Sequence, residues 1–143
     1  MKKILIIAGE ESGDLHGCHL VQALKSLHPN LEFFGMGGKK MRNAGVKTFF
    51  DINRTGTVGL MELFGNFWYY FSIYRKLASE IDSCQYDALI LIDYPTLNLI
   101  LAGRGKRAGC PVYYFIGPQI WAWRRGRMKA IRQRIKKMFV KFF

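Results

Sequence analysis

Two short segments carry carboxylates where a parallel α/β protein would place its chemistry. The first is 7-IAGEESGDLHG-17, directly after the apolar run Ile4–Ile7. Its glycines fall at 9, 13 and 17, so it is neither GxGxxG nor GK[ST], and the two best-known phosphate cradles are missing. Glu10 and Glu11 would repel a phosphate at a helix N-terminus, so a hydroxyl- or amine-bearing group suits that loop better. Plain capping also fits part of it, with Ser12 as N-cap and Asp14 in the first turn. Glu10 and Glu11 have no such capping role.

The second segment is 87-DALILID-93, an apolar run that ends on Asp93 and is turned by Tyr94-Pro95. A partly desolvated carboxylate there could act as a general base, or could simply accept hydrogen bonds from loop amides. Asn98, five residues on, could bind a ligand or cap the next helix. His16 and His19 are three apart at a helix start, but with no HExxH and no cysteine pair nearby they make a poor metal site. Trp121, Trp123, Arg124, Arg125 and Arg127 join aromatic and basic groups at another helix start. That suits phosphate recognition, or a solvated basic face over core tryptophans. The stretch 58-VGLMELFGNFWYYFSIYRKL-77 holds Leu63, Phe64, Phe67, Trp68 and Phe71 among further aromatics. It reads either as a buried helix or as a surface for a membrane interface or greasy substrate.

These residues need elements to position them. Strands are expected at 4–8, 31–35, near 47–50, at 87–93, at 112–116 and from 138. Helices are expected after Gly9 to Pro29, across 38–44, 59–81, 96–107 and 124–137, with a loop at 117–123. Continuous apolar strands alternating with helices predict an α/β, doubly wound, mainly parallel Rossmann-like sheet. Ligands on such sheets bind beyond the carboxyl ends of the strands, where all three candidate loops fall.

The chain has 143 residues, half of them hydrophobic, which fits one domain with a real core. Cys18, Cys84 and Cys110 form no CxxC pair and fit reduced thiols in a cytosolic protein. No apolar run has the length of a spanning helix. Residues 1–93 hold ten basic and ten acidic side chains, whereas residues 94–143 hold twelve basic and none acidic. This asymmetry points to an anionic partner, or to an acidic portion that lies outside the sequence.

The segments 8-AGEESGDLHG-17, 35-GMGGKKMRNAGV-46, 58-VGLMELF-64, 92-IDYPTLNL-99 and 121-WAWRRGRMKAI-131 occur together in the order and spacing of one family. On them the chain resembles the N-terminal half of bacterial lipid-A-disaccharide synthase over essentially its whole length. The resemblance implies one half of a GT-B architecture, with residues 1–143 as the acceptor-side domain and a nucleotide-sugar-binding domain beyond them. The implied reaction transfers 2,3-diacylglucosamine from its UDP-activated form to 2,3-diacylglucosamine 1-phosphate, with inversion and release of UDP. No cofactor or catalytic metal is expected, because the UDP-sugar is the donor substrate. Asp93 matches the family's catalytic aspartate, with Glu10 as second choice. Ser12, Glu11, His16, Asn98 and Trp121 are expected around the acceptor, with Arg124 and Arg127 neutralising its phosphate. Leu63, Phe64, Phe67, Trp68 and Phe71 would contact acyl chains or the membrane.

The same resemblance implies a cytoplasmic enzyme peripheral to the inner face of the cytoplasmic membrane, with the two lipid substrates and no nucleic acid as partners. A homodimer of the full-length enzyme is compatible with it. Two departures lie near the site: 117-GPQI-120 replaces the family's usual Ser-Pro-Ser-Val, and 96-TLN-98 replaces Asp-Phe-Asn. The chain also stops where the family continues, so little turnover is expected from these residues alone. A reading of another class is a non-catalytic basic module that binds anionic lipid or nucleic acid through residues 104–141.

Overall fold

The computed structural model describes residues 1–52, 67–116 and 125–139. Their strands are β1 (Lys2–Ala8), β2 (Leu31–Gly37), β3 (Val46–Asp51), β4 (Ala88–Ile92), β5 (Val112–Phe115) and β6 (Lys137–Phe139). The helices are α1 (Glu11–Leu27), α2 (Lys39–Asn43), α3 (Phe67–Asp82), α4 (Pro95–Arg107) and α5 (Arg125–Arg134). The strands form one sheet in the order β3-β2-β1-β4-β5-β6, and every neighbouring pair is parallel. This is the α/β, doubly wound, Rossmann-like sheet expected from the alternating apolar runs.

Alternate side chains of the central strands feed two cores, one on each face of the sheet. From β1, Ile4, Ile6 and Ala8 join Phe33, Ile90, Ile92, Val21 of α1 and Met41 of α2. Leu5 and Ile7 join Leu89, Leu91 and Tyr114 on the other face, under Ile73, Leu77 and Ile81 of α3 and Leu99, Leu101 and Ala102 of α4. Ile131, Ile135 and Met138 pack against this second core at its rim. Burial on both faces is the reason β1 and β4 read as unbroken apolar runs. Each fully buried Leu or Ile contributes about 1.5–3 kcal/mol of burial free energy.

Helix α5 ends at Arg134, three residues short of the expected 137. The backbone NH of Lys136 already donates to the Val112 carbonyl (2.8 Å), and Lys137 pairs with Tyr113, so sheet bonding takes over the chain. The expected helix over 59–81 corresponds to α3 in its described part. The expected loop at 117–123 and the tail beyond Phe139 lie outside the described residues.

Candidate functional site at the switch point of the sheet

Helices α1 and α2 cover one face of the sheet, and α4 and α5 cover the other. The winding reverses between β1 and β4, which are direct neighbours (Ile7 opposite Leu91, Ala8 opposite Ile92). A reversal of this kind opens a crevice at the carboxyl ends of the two strands. Gly9-Glu10 and Asp93-Tyr94, the two segments singled out for their carboxylates, flank it. Their contact is direct: a Cβ on Gly9 would lie 2.5 Å from Cγ of Tyr94. Gly9 is therefore required by the close approach of the neighbouring loop.

Asp93 and Tyr94 are consecutive left-handed residues, with φ of 47° and 46°. Non-glycine residues adopt this region at a cost of about 1–3 kcal/mol each, and such strain concentrates at functional sites. Two buried side chains hold the strained pair. The Tyr114 hydroxyl donates to the Asp93 carbonyl at 2.6 Å. The Asn98 amide donates to the same carbonyl (2.6 Å) and to that of Ile92 (3.2 Å). Burial raises the Tyr114 phenol pKa, and the nearby Asp93 charge adds to the effect. Asn98 is fully buried, and its Oδ1 has no partner among the described residues. It is not the cap of α4, whose N-cap is Tyr94, and its amide turns inward beneath the loop. The Asp93 carboxylate is half-buried and accepts no hydrogen bond among the described residues, so the loop-amide alternative for it is not realised there.

The N-termini of α1 and α4 reach this edge without side-chain caps. Their first-turn amides are donors without intrahelical partners. The N-cap of α1 is the extended Glu10 rather than Ser12, which is an exposed residue inside the first turn. Asp14 stands in the first turn of α1, as expected, and has a further role that the sequence did not indicate. Its buried carboxylate accepts from the backbone NH groups of Gly38 (2.8 Å), Met41 (3.0 Å) and Lys40 (3.1 Å), and so caps α2. Glycine at 38 makes this possible, because a Cβ would lie 2.6 Å from Asp14 Oδ2. Glu10 and Glu11 are exposed at the crevice rim, and His16 is half-buried one turn further along α1. Among the described residues no three His, Cys, Asp or Glu side chains cluster in a way that could hold a metal ion.

The aromatic stretch has two faces in its described part. Tyr69 and Tyr74 pack on the core, with Tyr69 edge-on to Phe50. Phe67, Trp68 and Phe71 are exposed (61, 76 and 42 %), with Phe67 stacked on Phe71, Trp68 edge-on to both, and the Arg75 guanidinium over the Phe71 ring. They start α3, whose N-terminus belongs to the carboxyl edge. Leu63, Phe64, Trp121 and Arg124 lie outside the described residues, and Arg127 falls in the first turn of α5.

The basic residues at the ends of α4 and α5 sit at the opposite, amino edge. Arg104 pairs with Asp82 (2.8 Å) and Tyr74, Lys106 reaches the Gln133 carbonyl, and Arg134 donates to the Leu99 carbonyl. A cavity of about 240 Å³ at that edge is lined by Asp82, Cys84, Arg104, Arg107 and Ala108.

Sequence reasoning located both carboxylate loops but missed the supports beneath them. A tyrosine at an inward position of an apolar strand, Tyr114, was the available signal, since a buried hydroxyl demands a partner.

A family model described as lipid-A-disaccharide synthetase matches residues 4–142. A lipid-A-disaccharide synthase of Geobacter metallireducens is 47% identical over 141 residues, and one of Coxiella burnetii is 46% identical over 141. Another, of Syntrophotalea carbinolica, is 41% identical over 138 residues. These alignments cover 99, 99 and 96% of the chain, but only 37, 38 and 35% of the respective relatives. The chain thus spans a little over a third of their length. With a parallel switch-point sheet and a match along nearly all of its residues, the chain belongs to the lipid-A-disaccharide synthetase family.

Proposed function

We propose that these residues form the acceptor-binding half of an inverting GT-B-type glycosyltransferase. The reaction joins UDP-activated 2,3-diacylglucosamine to 2,3-diacylglucosamine 1-phosphate, giving the lipid A disaccharide precursor and UDP. The relatives' names support the reaction class. The observation that carries the site is the Asp93 carboxylate, which has no hydrogen bond among the described residues, on a strained turn at the switch point.

In this reading Asp93 is the general base. It takes the proton of the acceptor hydroxyl as that oxygen attacks the anomeric carbon of the donor, and the bond to UDP breaks. Tyr114 and Asn98 bind the backbone of Asp93, so they fix the turn that carries the carboxylate without consuming its charge. Glu10 is the second candidate for the base. Glu11, Ser12 and His16 lie along α1 as groups that position the acceptor. Trp121, Arg124 and Arg127 complete the acceptor side, with the arginines on its phosphate. No metal or prosthetic group has a role in this reading. The UDP-sugar binds to a second domain, and the two lipid substrates bring the enzyme to the inner face of the cytoplasmic membrane. Phe67, Trp68 and Phe71, exposed at the start of α3, supply a surface for acyl chains or for that membrane. Among the described residues, no helix is long and apolar enough to cross a membrane.

Titration of the chain with 2,3-diacylglucosamine 1-phosphate in Triton X-100 micelles tests the reading. Saturable binding that persists at high salt is expected. Binding that collapses with salt and is matched by any polyanion would instead favour the basic module at 104–141, because counterion release governs such contacts.

A further inference from the structure

The side chain of Tyr94 lies between the two loops of the switch point, against Gly9. Its ring fills the space that a Gly9 side chain would take, with Cγ, Cδ1 and Cδ2 at 2.5–3.0 Å from the position of a Gly9 Cβ. The residue is half-buried, and its hydroxyl makes no hydrogen bond among the described residues. The Glu10 carboxylate and the Tyr70 phenol lie within electrostatic reach of it. A left-handed turn by itself is better served by glycine or asparagine. A tyrosine there bears conformational strain that its ring contact with Gly9 does not require, since packing alone would be met by phenylalanine. The hydroxyl is the part of this residue without a structural use.

We propose that Tyr94 contacts substrate directly, its phenol and the Glu10 carboxylate together gripping one hydroxyl of the acceptor sugar. The phenol donates to the sugar oxygen, and the carboxylate accepts a hydrogen bond from the same hydroxyl. A hydroxyl is both donor and acceptor, so a donor and an acceptor side by side match it in full. Burial, with Tyr70 and Glu10 adding to it, raises the phenol pKa, so the group keeps its proton at neutral pH and remains a donor. This deepens the acceptor reading above and rests on it.

The test uses the 143-residue chain, 2,3-diacylglucosamine 1-phosphate in Triton X-100 micelles, and the variants Tyr94→Phe, Glu10→Gln and the double variant. Tyr94→Phe keeps the ring on Gly9, so an unchanged melting curve is expected. Loss of one neutral hydrogen bond should weaken binding roughly three- to tenfold. If both groups hold the same hydroxyl, the double variant loses less than the product of the two single losses. Undiminished binding by Tyr94→Phe, or losses that multiply independently, would overturn the grip while leaving the acceptor half in place. If the unaltered chain shows no binding, the acceptor reading itself fails and takes this inference with it.

Discussion

The two edges of this sheet are built on opposite terms. At the amino edge the charged groups are engaged within the chain. Asp82 receives the Arg104 guanidinium, which also reaches the Tyr74 hydroxyl, and Asp87 accepts the Lys3 amide. At the carboxyl edge the backbone is strained at Asp93 and Tyr94, two helix N-termini are uncapped, and the Asp93 carboxylate is unengaged among the described residues. The carboxyl edge also holds the pairs Lys40–Glu11 and Arg42–Asp51, so what sets it apart is the unengaged Asp93 carboxylate and the two helix N-termini without side-chain caps. Several cations of the basic C-terminal third are engaged within the chain, on the Asp82 carboxylate and on the Gln133 and Leu99 carbonyls.

Substitutions at each edge should separate these roles. The largest effect is expected for Asp93→Asn, assayed for transfer with the remaining part of a relative supplied. Turnover should fall by about 10²–10⁴-fold with no change in melting temperature. Asp14→Ala should act on stability instead. It strands the backbone amides of Gly38 and Met41, and a loss of about 2–3 kcal/mol in chemical denaturation is expected. Gly9→Ala is expected to affect both properties. Displacing the Tyr94 ring should cost about 1–3 kcal/mol and should also weaken acceptor binding.

A smaller effect concerns pH. Burial alone would raise the Glu80 pKa, but hydrogen bonds from Lys76, Tyr86 and Gln85, with the Lys76 charge, outweigh it and hold the group below its ordinary value. Its contribution to stability is therefore present above the ordinary carboxylate pKa of about 4.3 and is lost as pH falls through the lower folded value. Glu80→Gln should flatten that part of the acid limb in a series of melts. The smallest effect is expected for Arg104→Gln. It breaks an exposed pair at the amino edge, so melting should change slightly and acceptor binding not at all. A marked loss of binding from Arg104→Gln would dissolve the distinction between the edges.

The fold was readable because its signals are local and repeated. The apolar runs of β1 and β4 and the helical spacing of Leu20, Val21, Leu24 and Leu27 depend only on nearby residues and on burial. Both candidate loops were readable for the same reason, since each directly follows such a run. What stayed hidden depends on distant partners. Nothing adjacent to Asp14 in the chain indicates that its carboxylate will cap a helix 24 residues further on. Asn98 read as a ligand or cap residue, and its amide's bonds to the Ile92 and Asp93 carbonyls are not signalled by its neighbours in the chain. The helix-start rule placed the N-cap at Ser12, but the chain enters α1 two residues earlier, at Glu10.

The carboxylate of Asp14 also couples two motions. It joins the first turn of α1, which presents Glu10, Glu11 and Ser12, to the amides that begin α2. Fraying of that turn would release α2 as well, so the two should open as one cooperative unit. In hydrogen–deuterium exchange the amides of Gly38, Lys40 and Met41 should then share a common opening rate with Asp14. The rim of the crevice consequently gains rigidity from a helix of five residues, which also reaches Glu11 through Lys40 (3.8 Å).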